Sequence, residues 1–128
     1  MPEGDTVKRT CDRLHAALAG RVLTAAELRW PTLSTANLVG MAVVEVVPYG
    51  KHILTRLDSG WTLHSHLKME GQWRIESTAT LSVRRLADDD LRAVLGTTRW
   101  TALGLRLGML DLVRTALQER RDPAGFAD

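Results

Sequence analysis

The first regular pattern along the chain is an apolar stripe near its amino end. The stripe has the four-three-four spacing of one helix face and consists of Val7, Cys11, Leu14 and Leu18. Asp5 or Thr6 can cap such a helix, and Gly20 is a plausible stop just after Ala19. We therefore predict an amino-terminal helix that runs to about Ala19 and packs its stripe against the rest of the protein.

After Gly20 the apolar period changes from the helical repeat to two, which is typical of β-strands. Trp30-Pro31 ends the first alternating run, and Asp58-Ser59-Gly60 is a turn sequence between two later runs. Pro48-Tyr49-Gly50 closes the second run. The predicted strands are 21–29, 41–47, 51–57, 61–67, 71–76, 100–107 and 109–117.

Three segments leave alternatives open. Residues 33–38 could form a helical turn, and residues 77–98 could hold a helix capped near Asp88 or a loop followed by a strand over 91–95. The run 109–117 could end as a helix, and 118–128 is a polar tail or linker. One helix followed by many short strands predicts a mainly β fold, an antiparallel β-sandwich with the helix packed on it.

Composition limits the function classes without selecting one. The 128 residues suffice for one domain, and a net charge of +2 permits nucleic-acid binding but does not argue for it. The single cysteine, Cys11, excludes an internal disulfide and a multi-cysteine zinc site within this sequence. The sequence has no apolar run long enough to span a membrane and no signal-peptide pattern, so we expect a cytoplasmic protein without membrane contact.

The first residues carry candidate chemistry. Removal of Met1 would expose Pro2 as a secondary amine, which can attack a sugar C1′ carbon and form an iminium. Its position at a helix start favours the unprotonated amine, and Glu3 could transfer the proton. The alternative is an ordinary terminal proline followed by a helix-start charge.

Three stretches extend this hypothesis: residues 1–7, 49–54 and 64–73, which contain PEGDTV, YGKHIL and HSHLKMEGQW. In this order and at these separations, they resemble the N-terminal catalytic domain of the formamidopyrimidine-DNA glycosylase / endonuclease VIII family. The first stretch looks like the bacterial endonuclease VIII branch. The resemblance is good to about Ile75 and looser over residues 100–114.

The resemblance implies a bifunctional base-excision enzyme, which is both a DNA glycosylase and an AP lyase. Such an enzyme releases oxidised pyrimidine bases and then cleaves the strand by β,δ-elimination. Pro2 then matches the nucleophile, Glu3 the proton-transfer carboxylate, and Lys51 a strand lysine that serves the cleft. An ammonium at Lys51 could bind the phosphate beside the lesion and lower the pKa of the terminal amine. The implied DNA-binding residues lie on a loop that enters the duplex, and they are His66, Lys68 and Met69.

Each assignment has a plainer alternative. Lys51 could be a solvated strand lysine, and Met69 could be a core methionine instead of a wedge between bases. His64 and His66 would share one strand face, where packing or phosphate contact is favoured over a metal site. The rival functions are a catalytically weak DNA- or partner-binding remnant and a structural β-sandwich without a nucleic-acid role.

The sequence also departs from the family pattern. After a catalytic domain over 1–117 it ends at Asp128, without the helix–two-turn–helix module and zinc finger that such proteins usually carry. We therefore expect no cofactor or metal and only weak binding of damaged DNA, because affinity depends on the number of neutralised phosphates. An isolated domain, a truncated product and a shortened homologue all fit. Glu70, beside the wedge, places a negative charge near the DNA.

Overall fold

The computed structural model describes the backbone of residues 3–116 and the side chains of residues 5–116. The predicted helix is present as α1, Glu3–Leu18, followed by Gly20 in the left-handed region at φ 79°. The capping prediction was wrong, because Asp5 and Thr6 lie inside the helix. An acidic residue is also favoured in the first turn, where it faces the positive end of the helix dipole.

The predicted stripe of α1 is buried. Its four side chains are at most 3% exposed. Burial of each valine or leucine side chain among them stabilises the fold by about 1.5–3 kcal/mol. Burial, and then the charge of Asp12, raises the pKa of the Cys11 thiol from 9.0 to about 12. Cys11 is therefore an inert packing residue, as its position in the stripe indicated.

The described strands form two antiparallel four-stranded sheets, so the predicted β-sandwich with a packed helix is confirmed. The first sheet has the order β1-β6-β7-β5, and the second has the order β2-β3-β4-β8. The bounds are β1 Ala25–Leu28, β2 Val43–Tyr49, β3 His52–Leu57, β4 Trp61–His66, β5 Gln72–Ser77, β6 Leu91–Gly96, β7 Trp100–Leu105 and β8 Met109–Arg114.

Most strand boundaries differ from the prediction by a few residues, and those of β2 and β1 have a structural reason. The second run was expected to end at Val47, but β2 continues through Pro48. Proline lacks an amide donor and is tolerated there because β2 is an edge strand. The first strand was predicted too long, since β1 begins at Ala25 and Val22 forms only an isolated bridge with Ala42.

The segment 77–98 follows the second alternative, a loop and then β6. A one-turn helix, α2 (Val83–Leu86), lies in the loop and is capped by Ser82, whose hydroxyl accepts from the Arg85 amide at 3.2 Å. Of the other two open segments, the one near 33–38 has its helical turn earlier, as a 3-10 turn at Pro31–Leu33, and 109–117 becomes helical at residues 115–116 after β8. The loop before β6 packs on the outer face of the first sheet, where the apolar cluster comprises Leu81, Leu86, Leu91, Val94, Leu103 and Leu105.

Helix α1 packs mainly against β2 and covers that edge of the second sheet. The His15 ring accepts a hydrogen bond on Nδ1 from the Val46 amide at 3.1 Å, and the Gly20 amide donates to the Val43 carbonyl at 2.7 Å. These contacts satisfy donors and acceptors that an uncovered edge strand would leave unpaired. All four tryptophans contribute to the main core. Trp73 is buried within it, and the other three, Trp30, Trp61 and Trp100, pack against it. Within residues 3–116, no helix combines the length and apolar content needed to cross a bilayer.

Candidate nucleic-acid interface and catalytic cleft

One wall of the candidate site is the amino end of α1. Thr6 and Val7, in the first turns of the helix, line a cleft of about 210 Å³. Glu3 is the first residue of α1, and the structure describes its backbone only. Pro2 lies outside the described residues. The positive end of the helix dipole therefore borders the cleft.

The second wall is the tight turn between β2 and β3. Tyr49 and His52 pair across the two strands, so Gly50 and Lys51 form a two-residue hairpin loop. Gly50 has a φ of 60°, which glycine adopts at the first position of such a turn without strain. The turn presents the exposed Lys51 side chain to the cleft.

The third wall is the loop between β4 and β5, residues 67–71, which we call the wedge loop. Leu67 anchors it in the core, and the Gly71 amide closes it by donating to the Leu67 carbonyl at 2.9 Å. Met69 is at the apex and is 95% exposed. The core-methionine alternative for Met69 is therefore wrong. A large apolar side chain held outward in this way is typical of a contact surface.

The turn between β7 and β8 braces the wedge loop from behind. The Gly108 amide donates to the His66 carbonyl at 2.9 Å. A Cβ at Gly108 would lie 2.7 Å from the Lys68 Cβ, and one at Gly71 would lie 3.1 Å from the Arg106 carbonyl oxygen. Lys68 has a φ of 54°, a region that costs a non-glycine residue roughly 1–3 kcal/mol unless its surroundings hold it there. The brace supplies those surroundings.

Arg106, in that turn, was not singled out from the sequence. Its Nε lies 2.9 Å from Asp90 Oδ2, and its Nη1 lies 3.3 Å from Glu70 Oε1. The hydrogen bond and charge of Asp90, followed by the charge of Glu70, raise the pKa of Arg106. The negative charge expected beside the wedge is therefore paired with a cation. The positive φ of 51° at Arg106 could not be inferred from residue type, because arginine rarely adopts that region.

The histidines predicted to share a strand face do so, and a third joins them. His64 and His66 of β4 lie beside His52 of β3, with ring centroids 4.6 and 4.7 Å from that of His52. In the part of the chain that the structure describes, no three His, Cys, Asp or Glu side chains are arranged to hold a metal ion. Of the residues assigned from the sequence, Lys51, His66, Lys68 and Met69 all line the same cleft.

The sequence model of the formamidopyrimidine-DNA glycosylase N-terminal domain matches residues 1–109. The chain belongs to this family. A probable endonuclease 8 2 of Streptomyces coelicolor is 48% identical over 120 residues, which is 94% of this chain and 43% of that protein. The DNA-(apurinic or apyrimidinic site) lyase Nei2 of Mycolicibacterium smegmatis is 44% identical over 113 residues, 88% of this chain and 42% of that protein.

Solved structures of the family share the fold. Lactococcus lactis Fpg in complex with DNA containing N7-benzyl-Fapy-dG superposes with a TM-score of 0.76 at 17% identity, covering 94% of this chain and 46% of that one. The same protein bound non-covalently to DNA containing an AP site gives a TM-score of 0.73 at 16% identity, covering 91% and 46%. The chain thus spans less than half the length of these relatives. The family assignment confirms the resemblance predicted from residues 1–7, 49–54 and 64–73.

Proposed function

We propose that this chain is the catalytic domain of a bifunctional DNA glycosylase and AP lyase that removes oxidised pyrimidine bases from DNA. The observation that carries the proposal is the cleft itself. Three stretches far apart in sequence meet there: the amino end of α1, the Lys51 turn and the wedge loop. Chemistry at the terminal amine and contact with DNA would then take place side by side.

In this proposal the Pro2 amine attacks C1′ of the damaged nucleotide. The C1′–N bond to Pro2 forms as the glycosidic bond breaks, and the base leaves with the bonding electrons and takes up a proton. Loss of the sugar ring oxygen from C1′ gives an iminium, which acidifies the adjacent C2′ protons and permits β- and then δ-elimination of the flanking phosphates. Glu3 would carry the proton transfers, as its place beside the amine allows.

Lys51 would act through its charge. Its exposed ammonium at the cleft can bind a phosphate and, by like-charge proximity, lower the pKa of the Pro2 amine so that more of it is a free nucleophile at neutral pH. Met69 would fill the space left by the extruded nucleotide, with His66 and Lys68 on the neighbouring phosphates. No cofactor is required by this scheme. We further propose a cytoplasmic location and weak, salt-sensitive DNA binding by this chain alone.

The test is borohydride trapping of the iminium on duplex DNA with a single abasic site. Intact mass first establishes whether Met1 is removed, since a retained methionine would leave no secondary amine. We expect a covalent adduct from the wild-type chain, a large loss with Pro2→Gly, and a partial loss with Lys51→Gln. Lys8→Gln is the matched control, because Lys8 is an exposed α1 lysine paired with Asp12 and outside the cleft lining.

An absent wild-type adduct, or one that Pro2→Gly leaves unchanged, would contradict the mechanism. Lesion-selective binding without trapping would instead indicate a DNA-binding remnant. The base preference is measured separately, by release of oxidised pyrimidines and of oxidised purines from matched duplexes. Equal or greater release of the purines would contradict the proposed substrate class.

A further inference from the structure

Three of the chain's four histidines form a continuous array on the face of the second sheet that leads to the cleft. His52 and His66 are direct partners in the β3–β4 register. His64 Nε2 and His52 Nδ1 are 2.8 Å apart, a hydrogen bond between two imidazoles. The His66 ring meets the His52 ring edge-on at a centroid distance of 4.7 Å. All three rings are half-buried.

The array ends on the backbone of the wedge loop. The Lys68 amide donates to His66 Nδ1 at 2.9 Å. An imidazolium carries a proton on both nitrogens and cannot accept, so this bond exists only when His66 is neutral with its proton on Nε2. Lys68 is also the residue held at positive φ, directly before Met69. The ring state of His66 is therefore coupled to the backbone that carries Met69.

The other half of the array restricts protonation as well. One proton lies between His64 Nε2 and His52 Nδ1, and double protonation would set two N–H donors against each other at 2.8 Å. At least one of these two rings must stay neutral for the contact to persist. His52 is the ring in contact with His66, at a centroid distance of 4.7 Å, so a proton on His52 places positive charge directly beside His66.

Charged and titratable groups face the array from several elements. The Lys51 turn and Lys68 in the wedge loop bring two cations to the cleft end of the array. Tyr49 of β2 lies 6.1 Å from His52 between ring centroids, and Asp111 of β8 is the register partner of His64 at the far end. From α1, the described side chains at the cleft are the uncharged Thr6 and Val7. Glu70 of the same loop is paired with Arg106, so Lys51 and Lys68 are the described cations at the cleft end of the array, and Asp111 lies beside His64.

We propose that His52 and His64 are positioning residues that hold His66 as the neutral Nε2–H tautomer and thereby fix the wedge loop in its DNA-ready form. The consequence for activity rests on the proposed glycosylase function, whereas the coupling of ring and loop does not. A proton on His66 Nδ1 breaks the hydrogen bond from the Lys68 amide and releases Met69. Lesion engagement then fails on the acid side of the pH profile.

The first test needs no activity. Long-range ¹H–¹⁵N correlation spectra of the full chain report which nitrogen of each histidine is protonated, and the Met69 methyl signal reports the loop. We expect Nδ1 of His66 to be unprotonated at neutral pH, and the Met69 methyl and Lys68 amide to shift together with the His66 titration. A His66 proton on Nδ1 at neutral pH, or loop signals that ignore the titration, would overturn the proposal.

The second test uses substitutions in the array. His64→Leu removes the imidazole contact, and His64→Gln keeps an amide donor that can reach His52. His15→Gln is the control, because His15 is the histidine outside the array. We expect His64→Leu to change the pH dependence of the loop signals and His64→Gln to restore it. If His64→Leu does not fold, the proposal is tested by His64→Gln and by the loop signals of the wild-type chain measured against pH.

AP-site cleavage measured against pH connects the array to function. The acid limb should move in parallel with the loop signals for each variant, with the change in KM for abasic DNA larger than the change in kcat. Acid limbs that coincide for wild type, His64→Leu and His15→Gln would contradict the positioning role. Failure of borohydride trapping in the wild type would overturn the proposed function and leave the spectroscopic result standing by itself.

Discussion

Met69 provides the sharpest test of the wedge loop, because its effects on folding and on binding should separate. The side chain is 95% exposed in the free protein, so its removal costs the folded state almost no buried area. Surface substitutions of this kind change the free energy of unfolding by less than about 0.5 kcal/mol. Met69→Ala should therefore leave the urea midpoint and the denaturant slope unchanged.

Binding should respond differently. Burying a methionine side chain stabilises a complex by about 1.5–3 kcal/mol, and an alanine retains only a small part of that contact. If Met69 enters the space beside an abasic site, Met69→Ala should weaken binding there by about 1.5–2 kcal/mol, or roughly 10–30-fold in Kd. Undamaged duplex offers no such space, so its affinity should change little.

The assay is fluorescence anisotropy with two duplexes of the same sequence, one carrying a stable abasic analogue. Val83→Ala is the matched control, since Val83 is also a large apolar side chain, 82% exposed, on α2 and outside the cleft lining. Equal weakening on the two duplexes would refute the wedge. So would an effect from Val83→Ala as large as that from Met69→Ala, or a loss of stability above about 1 kcal/mol.

Three further predictions concern the surroundings of the cleft. Glu70→Gln should tighten binding to undamaged DNA and steepen its log–log salt dependence by about one unit, because it removes a negative charge and leaves Arg106 Nη1 available to phosphate while Nε stays on Asp90. An unchanged slope would contradict this. Stability should fall as pH rises from 9.0 towards about 12, since the unfolded chain ionises the Cys11 thiol first, and Cys11→Ala should flatten this decline in urea unfolding. Gly71→Ala should cost about 1–3 kcal/mol by thermal unfolding and reduce abasic-site binding, because its Cβ would lie 2.5 Å from the Leu67 carbonyl oxygen. If Gly71→Ala is as stable as the wild type, the loop can widen to admit the Cβ and the prediction is wrong.

Local signals explain most of the elements that were predicted correctly. The stripe of α1 and the β3–β4 hairpin depend on periodicity and turn residues within a few positions of one another. One error and one open alternative fell where context decides. Pro48 remains in a strand because β2 is at a sheet edge, and the choice between helix and strand for 91–95 was made by pairing with β1 and β7.

The candidate site divides in the same way. The assignments of Pro2, Glu3, Lys51, His66, Lys68 and Met69 came from motifs in the sequence, and their chemical roles stay predictions. The domain limit near residue 117 also stays a prediction, since 117–128 lie outside the described part of the chain. The periodicity of the sequence could not show whether the Met69 side chain points into the core or out of it.

The sequence alone determined the family, the amino-terminal helix and the alternating strands, and it named candidate residues for the chemistry, because each of these depends on local order and residue type. Only the tertiary structure decided that the three stretches share one cleft, that Glu70 is paired with Arg106, and that His52 joins His64 and His66. Those contacts depend on strand register and on turns packed against each other across long stretches of chain. The distances between these side chains are set when the sheets assemble, and no pattern within a single stretch of sequence encodes them.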